Sequence, residues 1–543
     1  MTRNTDADTA TLRAVLEAAQ ARDFTRAGML ANQALATGLE HPLLLNVAAT
    51  VLEHAGKFND AIVLLERAVA IAPADIGARN ALALVLQRVD RPADALIHLD
   101  EILKLDPNLS FVHVSKGNAL MSLGSLGRAK LCHMHALTLE PENVIAQAAL
   151  ASIASHFGLH EEAADWAHRA LAKVPNLPDA TIVLATAELA AGRATNAEKL
   201  ARRLQLDPRL STADQARAFG IIADACDASG RYTDAFNAYT LCNAALQAVH
   251  RTLASGTSVL DYARGINVAL RHANPRCWQP QSQHVSPSAD EPTDHVFLLG
   301  FPRSGTTLLE VVLDGHQDVV SLEEHELLID SVVHFFNEPL RFQDLEQADE
   351  ATLAPLRTAY WDHVKAADVR FAGKVFIDKH PLNTLKLPLI ARLFPRAKIL
   401  FAYRDPRDVV LSCYRRRFKM NKAMYELLTL PGAAALYDTV MECAERMRPL
   451  GGLAWHDVRY EDLLLDLPGA TQAICGFLNL QWQPQMVDFG LRATAREHAT
   501  PSTAQLSGGL KHSSQGHWRH YASALQPIER TLAHWVQRLG YPP

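Results

Sequence analysis

Val296-Phe297-Leu298-Leu299-Gly300-Phe301-Pro302-Arg303-Ser304-Gly305-Thr306-Thr307-Leu308-Leu309 decides how the second half of the chain folds. The first four residues are a short apolar run, which predicts a buried strand. A turn bounded by Gly300 and Gly305 follows, and the apolar-periodic segment after it predicts a helix. Strand, glycine turn and helix start together make an anion cradle. Backbone N–H groups at the helix N-terminus point at a phosphate, and the helix dipole favours its negative charge. The spacing from Gly300 to Gly305 fits the phosphate-binding pattern G-x-x-x-x-G-K-[ST], with Thr306 standing where the lysine belongs. That lysine reaches the β- and γ-phosphates in an ATPase, so its loss argues against ordinary ATP hydrolysis. Arg303, inside the loop, can supply positive charge instead. A tight strand–helix turn without a ligand is the alternative for the loop alone.

Downstream, four stretches bear on chemistry. Leu313-Asp314-Gly315-His316-Gln317-Asp318-Val319-Val320-Ser321-Leu322-Glu323-Glu324-His325-Glu326 places acidic residues close after the loop. A carboxylate there can take the proton of an acceptor hydroxyl; otherwise the stretch is a solvated acidic turn. Lys374-Val375-Phe376-Ile377-Asp378-Lys379-His380 reads as a strand ending in a lysine. Strand C-terminal ends line the ligand crevice of an open parallel sheet, where Lys379 can neutralise charge on a bridging oxygen. A surface lysine after a strand is the plainer reading. Ile399-Leu400-Phe401-Ala402-Tyr403-Arg404 reads as a further strand, and a turn with Pro406 leads into a helix carrying Ser412. Arg404 and Ser412 can thus converge on one anion. The run Arg415-Arg416-Arg417 extends the positive field or caps a solvated helix end. The segment 501–521 is rich in Ser, Gly and basic residues, with Trp518 as a flat apolar body, and suits a loop closing over a nucleotide.

The first half repeats at a period of 34. Pro73, Pro107, Pro141 and Pro175 keep it, as do Ala27, Ala61, Ala95, Ala129, Ala163 and Ala197. Small residues recur at Ala49, Ala83, Gly117, Ala151 and Ala185, and turn residues at Gly56, Asp90, Gly124, Gly158 and Gly192. This predicts a helix pair per repeat. Small residues sit at close crossings, the turn residue reverses the chain, and proline ends the second helix. The pattern resembles tetratricopeptide repeats over about residues 8–250, with Gly230, Asp234 and Ala235 marking a closing, atypical repeat. The resemblance implies a solenoid whose concave groove holds a peptide or protein; a platform for homo-oligomer assembly is the alternative. Residues 251–293, helical and then proline-rich, read as a connection to a second domain at 294–543.

Composition sets outer limits. The 543 residues are 48% hydrophobic and 21% charged, which suits two or three globular domains. A net charge of −6 gives no global case for nucleic-acid binding. No apolar run approaches the ~20 residues of a membrane span. Met1-Thr2-Arg3-Asn4-Thr5-Asp6-Ala7-Asp8 has no apolar stretch of a secretory signal, so a cytoplasmic protein is expected. Cys132, Cys226, Cys242, Cys277, Cys413, Cys443 and Cys475 lack C-x-x-C spacing and read as reduced thiols.

Taken together, the loop and the later stretches resemble the sulfotransferase family, which uses 3′-phosphoadenosine-5′-phosphosulfate (PAPS). The likeness runs to tyrosylprotein sulfotransferases and bacterial relatives that carry tetratricopeptide repeats. It implies an all-α repeat solenoid followed by an α/β, P-loop-like domain with a mainly parallel sheet. It assigns the 5′-phosphosulfate to Pro302, Arg303, Ser304, Gly305, Thr306 and Thr307, and the 3′-phosphate to Arg404 and Ser412. Lys379 corresponds to the lysine at the bridging oxygen and Glu324 to the catalytic base. Arg416, Tyr460, Ser513, Trp518 and Arg519 correspond to nucleotide contacts. Glu326 stands where the animal enzymes have an arginine near the substrate. The implied reaction moves a sulfuryl group to a hydroxyl, tyrosine of a peptide or protein being the first expectation. It leaves 3′,5′-ADP and requires no metal. A small-molecule, glycan or lipid hydroxyl is the alternative acceptor. A P-loop kinase and a non-catalytic repeat scaffold are the rival classes.

Overall fold

The computed structural model describes residues 5–278, 292–337, 340–488, 490 and 515–543. The chain forms two compact units, Met1–Ala187 and Glu188–Pro543.

The first unit is built of helix pairs, among them Pro42–His54 with Phe58–Ile71 and Ile76–Arg88 with Pro92–Leu105. Each turn residue of the period holds a left-handed backbone: Gly56 at φ +72°, Asp90 at +58°, Gly124 at +75° and Gly158 at +71°. Arg22, one period before Gly56, holds the same conformation at φ +59° and turns the first pair. Ala61, Ala83, Ala95, Ala129, Ala151 and Ala163 are fully buried, because two helices cross there with no room for a longer side chain. Asp75 and Asn143 cap the helices that start beside them by accepting from the N–H of Ala78 and Ala146. Pro73, Pro107 and Pro141 each fall just beyond the end of a second helix.

The second unit begins inside the periodic region. Its helices Thr212–Ala228 and Tyr232–Val249 follow the repeat pattern, with Gly230 at φ +74° between them. Yet Asn243 Nδ2 donates to Tyr414 O at 3.0 Å, and Asp227 and Asp224 pair with Arg415 and Arg417. Periodicity reports how a helix packs on its sequence neighbours, whereas these bonds reach residues far along the chain.

Five strands follow: β1 Asp294–Gly300, β2 Val319–Glu323, β3 Val375–Lys379, β4 Lys398–Tyr403 and β5 Ala454–Arg459. They form one sheet in the order β2-β3-β1-β4-β5, with every pairing parallel. Alternation along β1 sends side chains to opposite faces. Val296 and Leu298 join Leu308, Leu309 and Val312 in an aliphatic core under the helix Thr306–Leu313. His295 and Phe297 face an aromatic cluster with Tyr360 and Phe394. The chain runs from β1 to the β2 edge, returns through β3 and then crosses to β4 on the far side of β1. That reversal puts the C-terminal end of β1 at the topological switch, where open parallel sheets bind ligands.

The start of the proline-rich connection is tied down. Trp278 is buried, and its Nε1 donates to Glu346 Oε1 at 3.0 Å. All seven cysteines are free thiols. Among the described residues no helix is long and apolar enough to cross a membrane.

Candidate active site

The loop after β1 is shaped by close approaches that only glycine permits. A Cβ on Gly300, at φ +148°, would lie 2.4 Å from Ala402 O of the neighbouring strand. Thr384 Oγ1 clasps the same residue, accepting from Gly300 N–H at 3.1 Å and lying 2.8 Å from Gly300 O. Gly305, at φ +98°, caps the helix Thr306–Leu313, and a Cβ there would lie 2.5 Å from Tyr460 Cδ2. Between them Arg303 takes φ +72°, a left-handed conformation that costs a non-glycine residue about 1–3 kcal/mol. The loop is therefore a strained, backbone-lined cradle at a helix N-terminus. Ser304, Thr306 and Thr307 are all buried in it.

Cations gather beside the cradle. Arg303 Nε donates to Ser412 Oγ at 3.1 Å, joining the loop to the helix Pro406–Arg415. Burial, then the charges of Arg416 and Arg404, push the Arg303 guanidinium down to about 9. Arg404 is buried at the end of β4, its guanidinium 4.8 Å from the Tyr460 ring centroid and its Nη2 3.5 Å from Asp408 Oδ2. Burial also lowers Arg416. Cations that depress one another in a buried place are stabilised by an anion brought between them. Arg415 and Arg417 do not extend this field as the sequence suggests. Arg415 Nη2 meets Asp227 Oδ2 at 2.5 Å and Arg417 Nη2 meets Asp224 Oδ2 at 2.5 Å, so their charge is spent on carboxylates of the helix Thr212–Ala228.

A second constellation lies at the ends of β2 and β3. Lys379 Nζ is fully buried and faces three carboxylates, Glu323 Oε1 at 2.8 Å, Glu324 Oε1 at 2.9 Å and Glu310 Oε2 at 3.4 Å. Burial alone would lower the lysine; Glu310, Glu323 and Glu324 outweigh it and raise it. Glu323 moves up to about 7, driven first by burial, with Lys379 opposing and Glu310 and Glu324 adding. Glu324 holds a left-handed backbone at φ +53°, fixed by its N–H donating to Lys379 O at 2.7 Å. Its side chain stays 46% exposed, so it is the one carboxylate of the three open to an acceptor. Next to it Glu326 pairs with Lys386 at 2.6 Å and His380 at 3.4 Å, and these partners hold it down at about 2.

The segment 515–521 packs against the helix Pro406–Arg415. Asp408 accepts from the backbone N–H of Gly516 at 2.7 Å and of Trp518 at 2.9 Å. Arg407 stacks 3.8 Å from the Trp518 ring centroid and Arg519 lies 5.2 Å from it. Ser513 lies outside the described residues.

The fold thus joins Arg303 to Ser412, Arg404 to Tyr460, and Lys379 to Glu324. Sequence reasoning missed Glu310 and Asp408. Glu310 stands alone as a charge in Leu308-Leu309-Glu310-Val311-Val312-Leu313, which is the signal that could have found it. It is nearly fully buried and accepts from Ser321 Oγ at 2.9 Å as well as facing Lys379. Asp408 follows Arg404 by one helical turn but carries no such contrast. Among the described residues no His, Cys, Asp or Glu cluster is arranged to hold a metal ion.

Residues 295–484 match the model of the sulfotransferase family, and residues 52–113 match a tetratricopeptide-repeat model. An uncharacterized protein of Aquifex aeolicus is 26% identical over 46% of this chain and 33% of its own length. Protein-tyrosine sulfotransferase 1 of Danio rerio is 29% identical over 39% of this chain and 59% of its own. Protein-tyrosine sulfotransferase 2 of Gallus gallus is 24% identical over 39% of this chain and 58% of its own. The chain thus matches less than two thirds of the length of each of these relatives. Among solved structures, the pilus biogenesis factor PilW superposes with a TM-score of 0.33 at 20% identity, over 38% of this chain and 92% of its own. Residues 295–484 are thus similar to the sulfotransferase family, and residues 52–113, earlier in the sequence, to tetratricopeptide repeats.

Proposed function

We propose that this protein transfers a sulfuryl group from PAPS to an acceptor hydroxyl, tyrosine of a peptide or protein being the first candidate. The carrying observation is the Arg303–Ser412 hydrogen bond, 3.1 Å long. It joins the phosphate-type loop to a second cationic place, as a donor with phosphate at both its 5′ and 3′ ends requires. The cradle that a Cβ would fill at Gly300 and Gly305, beside buried Arg404, fits such a group. PAPS, when bound, supplies the activated sulfuryl group and a stable phosphate leaving group.

The residues divide the work. Backbone N–H groups from Arg303 to Thr307, with Pro302 and Ser304 shaping the turn and the Thr306 and Thr307 hydroxyls, hold the 5′-phosphosulfate. Arg404 and Ser412, with Arg416 beside them, hold the 3′-phosphate, and Tyr460, Trp518 and Arg519 border the nucleotide. Glu324 takes the acceptor proton. Arg303 and Lys379 face the charge that builds on the leaving oxygen. Lys379 is closed off by its carboxylates, so this contact requires the Glu324 carboxylate to turn away from it, which also frees Glu324 for the acceptor.

Protein-tyrosine sulfotransferases among the relatives support the tyrosine reading, and the repeats supply a surface for a peptide or protein acceptor. A small-molecule, glycan or lipid hydroxyl is the second reading. It is favoured by Glu326, whose carboxylate pairs with Lys386 and His380 at the acceptor side, where an acidic peptide would meet like charge. A kinase is disfavoured by Thr306 at the lysine position.

Calorimetric titration of 3′,5′-ADP and of ATP, with and without magnesium, tests the reading on wild type and Arg404→Ala. Tight, magnesium-independent binding of 3′,5′-ADP, weakened about 10–100-fold by the substitution, is expected for lost hydrogen bonds to a charged group. Magnesium-dependent ATP binding indifferent to Arg404 would overturn it.

A further inference from the structure

The helix Pro406–Arg415 and the segment 515–521 are clamped from outside the sulfotransferase-family match by one carboxylate, Asp227. Asp227 Oδ2 accepts from Arg415 Nη2 at 2.5 Å, Asp227 Oδ1 lies 3.0 Å from His517 Nε2, and the Tyr521 hydroxyl donates to the same oxygen. Three groups from two distant stretches therefore meet on one side chain of the helix Thr212–Ala228. Neighbouring contacts reinforce the junction. Tyr232 stacks on His520 with centroids 4.2 Å apart and planes 13° from parallel. Asp224 accepts from Tyr239 at 2.7 Å and pairs with Arg417, and a Cβ on Gly220 would sit 2.7 Å from Arg417 Cδ. The last helix pair of the repeat pattern has thus been fitted to this surface down to a missing methyl group.

What the clamp holds is the nucleotide side. Ser412 rides on the clamped helix, and Asp408 of that helix takes the Gly516 and Trp518 N–H groups while pairing with Arg404. A shift of the 515–521 segment therefore reaches Arg404 through Asp408, and reaches Ser412 through its helix. Resting on the sulfotransferase reading, we propose that Asp227 is a positioning residue for the nucleotide: through Arg415, His517 and Tyr521 it sets the Arg404–Ser412 clamp, which makes the last helix pair of the array part of the donor site.

The test is titration of 3′,5′-ADP and 5′-AMP into the full-length wild type, Asp227→Asn, Asp227→Glu and Tyr521→Phe, each held well below its own melting temperature. Asp227→Asn is expected to weaken 3′,5′-ADP about tenfold, the scale of one displaced charge-assisted hydrogen bond, and 5′-AMP much less. Asp227→Glu is expected to recover most of the loss. In turnover assays the donor KM should rise while kcat and the acceptor KM hold. Asp227→Asn binding 3′,5′-ADP as tightly as wild type would overturn the inference, even with a lowered melting temperature, because the residue would then be only structural. If Asp227→Asn does not fold, Tyr521→Phe decides. It keeps the ring and loses one donor, so unchanged selectivity for 3′,5′-ADP over 5′-AMP rejects the proposal and reduced selectivity supports it. A wild type that binds no 3′,5′-ADP would remove the sulfotransferase reading itself, and the inference with it.

Discussion

Lys379 Nζ sits 2.9 Å from Glu324 Oε1. A proposed base and a proposed leaving-group cation thus neutralise each other until substrates arrive. The carboxylates around Lys379 keep it charged in a buried place. Exchanging Glu324 for Gln retains the shape and an amide oxygen that can accept from Lys379 Nζ, but removes the basic carboxylate. Turnover is expected to fall about 10²–10⁴-fold, while affinity for 3′,5′-ADP stays near wild type. Unchanged turnover in a sulfuryl-transfer assay would take the role away from Glu324.

Glu323 supplies a pH dependence whose sign is fixed by its shift. Its folded value is raised, to about 7 from an ordinary 4.5, so the folded chain binds the proton more tightly than the unfolded one. The resulting stabilisation is fully present below about 4.5 and is lost as pH rises through about 7. Glu323→Gln cannot titrate there. Urea denaturation of both proteins between pH 5 and pH 8 should show the wild type losing stability relative to the variant as pH rises. Parallel curves would mean that Glu323 titrates normally.

Removing the cation from the same cage has a larger effect. Lys379→Met leaves Glu310, Glu323 and Glu324 facing one another, with Glu310 and Lys379 almost wholly buried. Breaking a buried pair on one side costs about 3–5 kcal/mol. Lys379 opposes the rise of Glu323, so without it the Glu323 carboxyl rises further and the loss shrinks as pH falls. Unfolding free energies at pH 8 and pH 5 check this. An equal loss at both would show that charge in the cage is not what Lys379 balances.

The distribution of what was legible follows from the range of each interaction. A helix pair repeats because turn, small residue and proline act on neighbours a few positions away, so the period at Gly56, Asp90 and Gly124 reads directly as left-handed turns. Arg22 escapes that reading because an ordinary side chain holds the turn where glycine is expected. The loop from Gly300 to Gly305 is local too, and its strand and helix appear where the apolar pattern puts them. Lys379 could be placed at a strand end and Glu324 in an acidic stretch after the loop, but nothing local says that Glu310, on another element, completes their cage. The Arg415-Arg416-Arg417 run misleads for the same reason. Its two outer charges are matched by Asp224 and Asp227, nearly two hundred positions earlier, and a charge run does not name its partner.

Gly305 carries the last prediction, because two independent constraints coincide there. Its φ of +98° lies where side-chain-bearing residues are strained, and a Cβ would lie 2.5 Å from Tyr460 Cδ2. Arg404 lies 4.8 Å from the centroid of the same ring, so a shift of Tyr460 alters a contact of Arg404. Gly305→Ala therefore moves the loop, the tyrosine or both, and with Tyr460 it disturbs Arg404. Stability is expected to fall by about 1–3 kcal/mol from backbone strain. Binding of 3′,5′-ADP should weaken more than binding of 5′-AMP, since the displaced arginine serves the 3′-phosphate. Gly305→Ala/Tyr460→Ala removes the clash but keeps the strained φ, so it separates the two causes. If the double variant regains the selectivity for 3′,5′-ADP, the tyrosine transmits the damage; if selectivity stays lost, the loop backbone itself does.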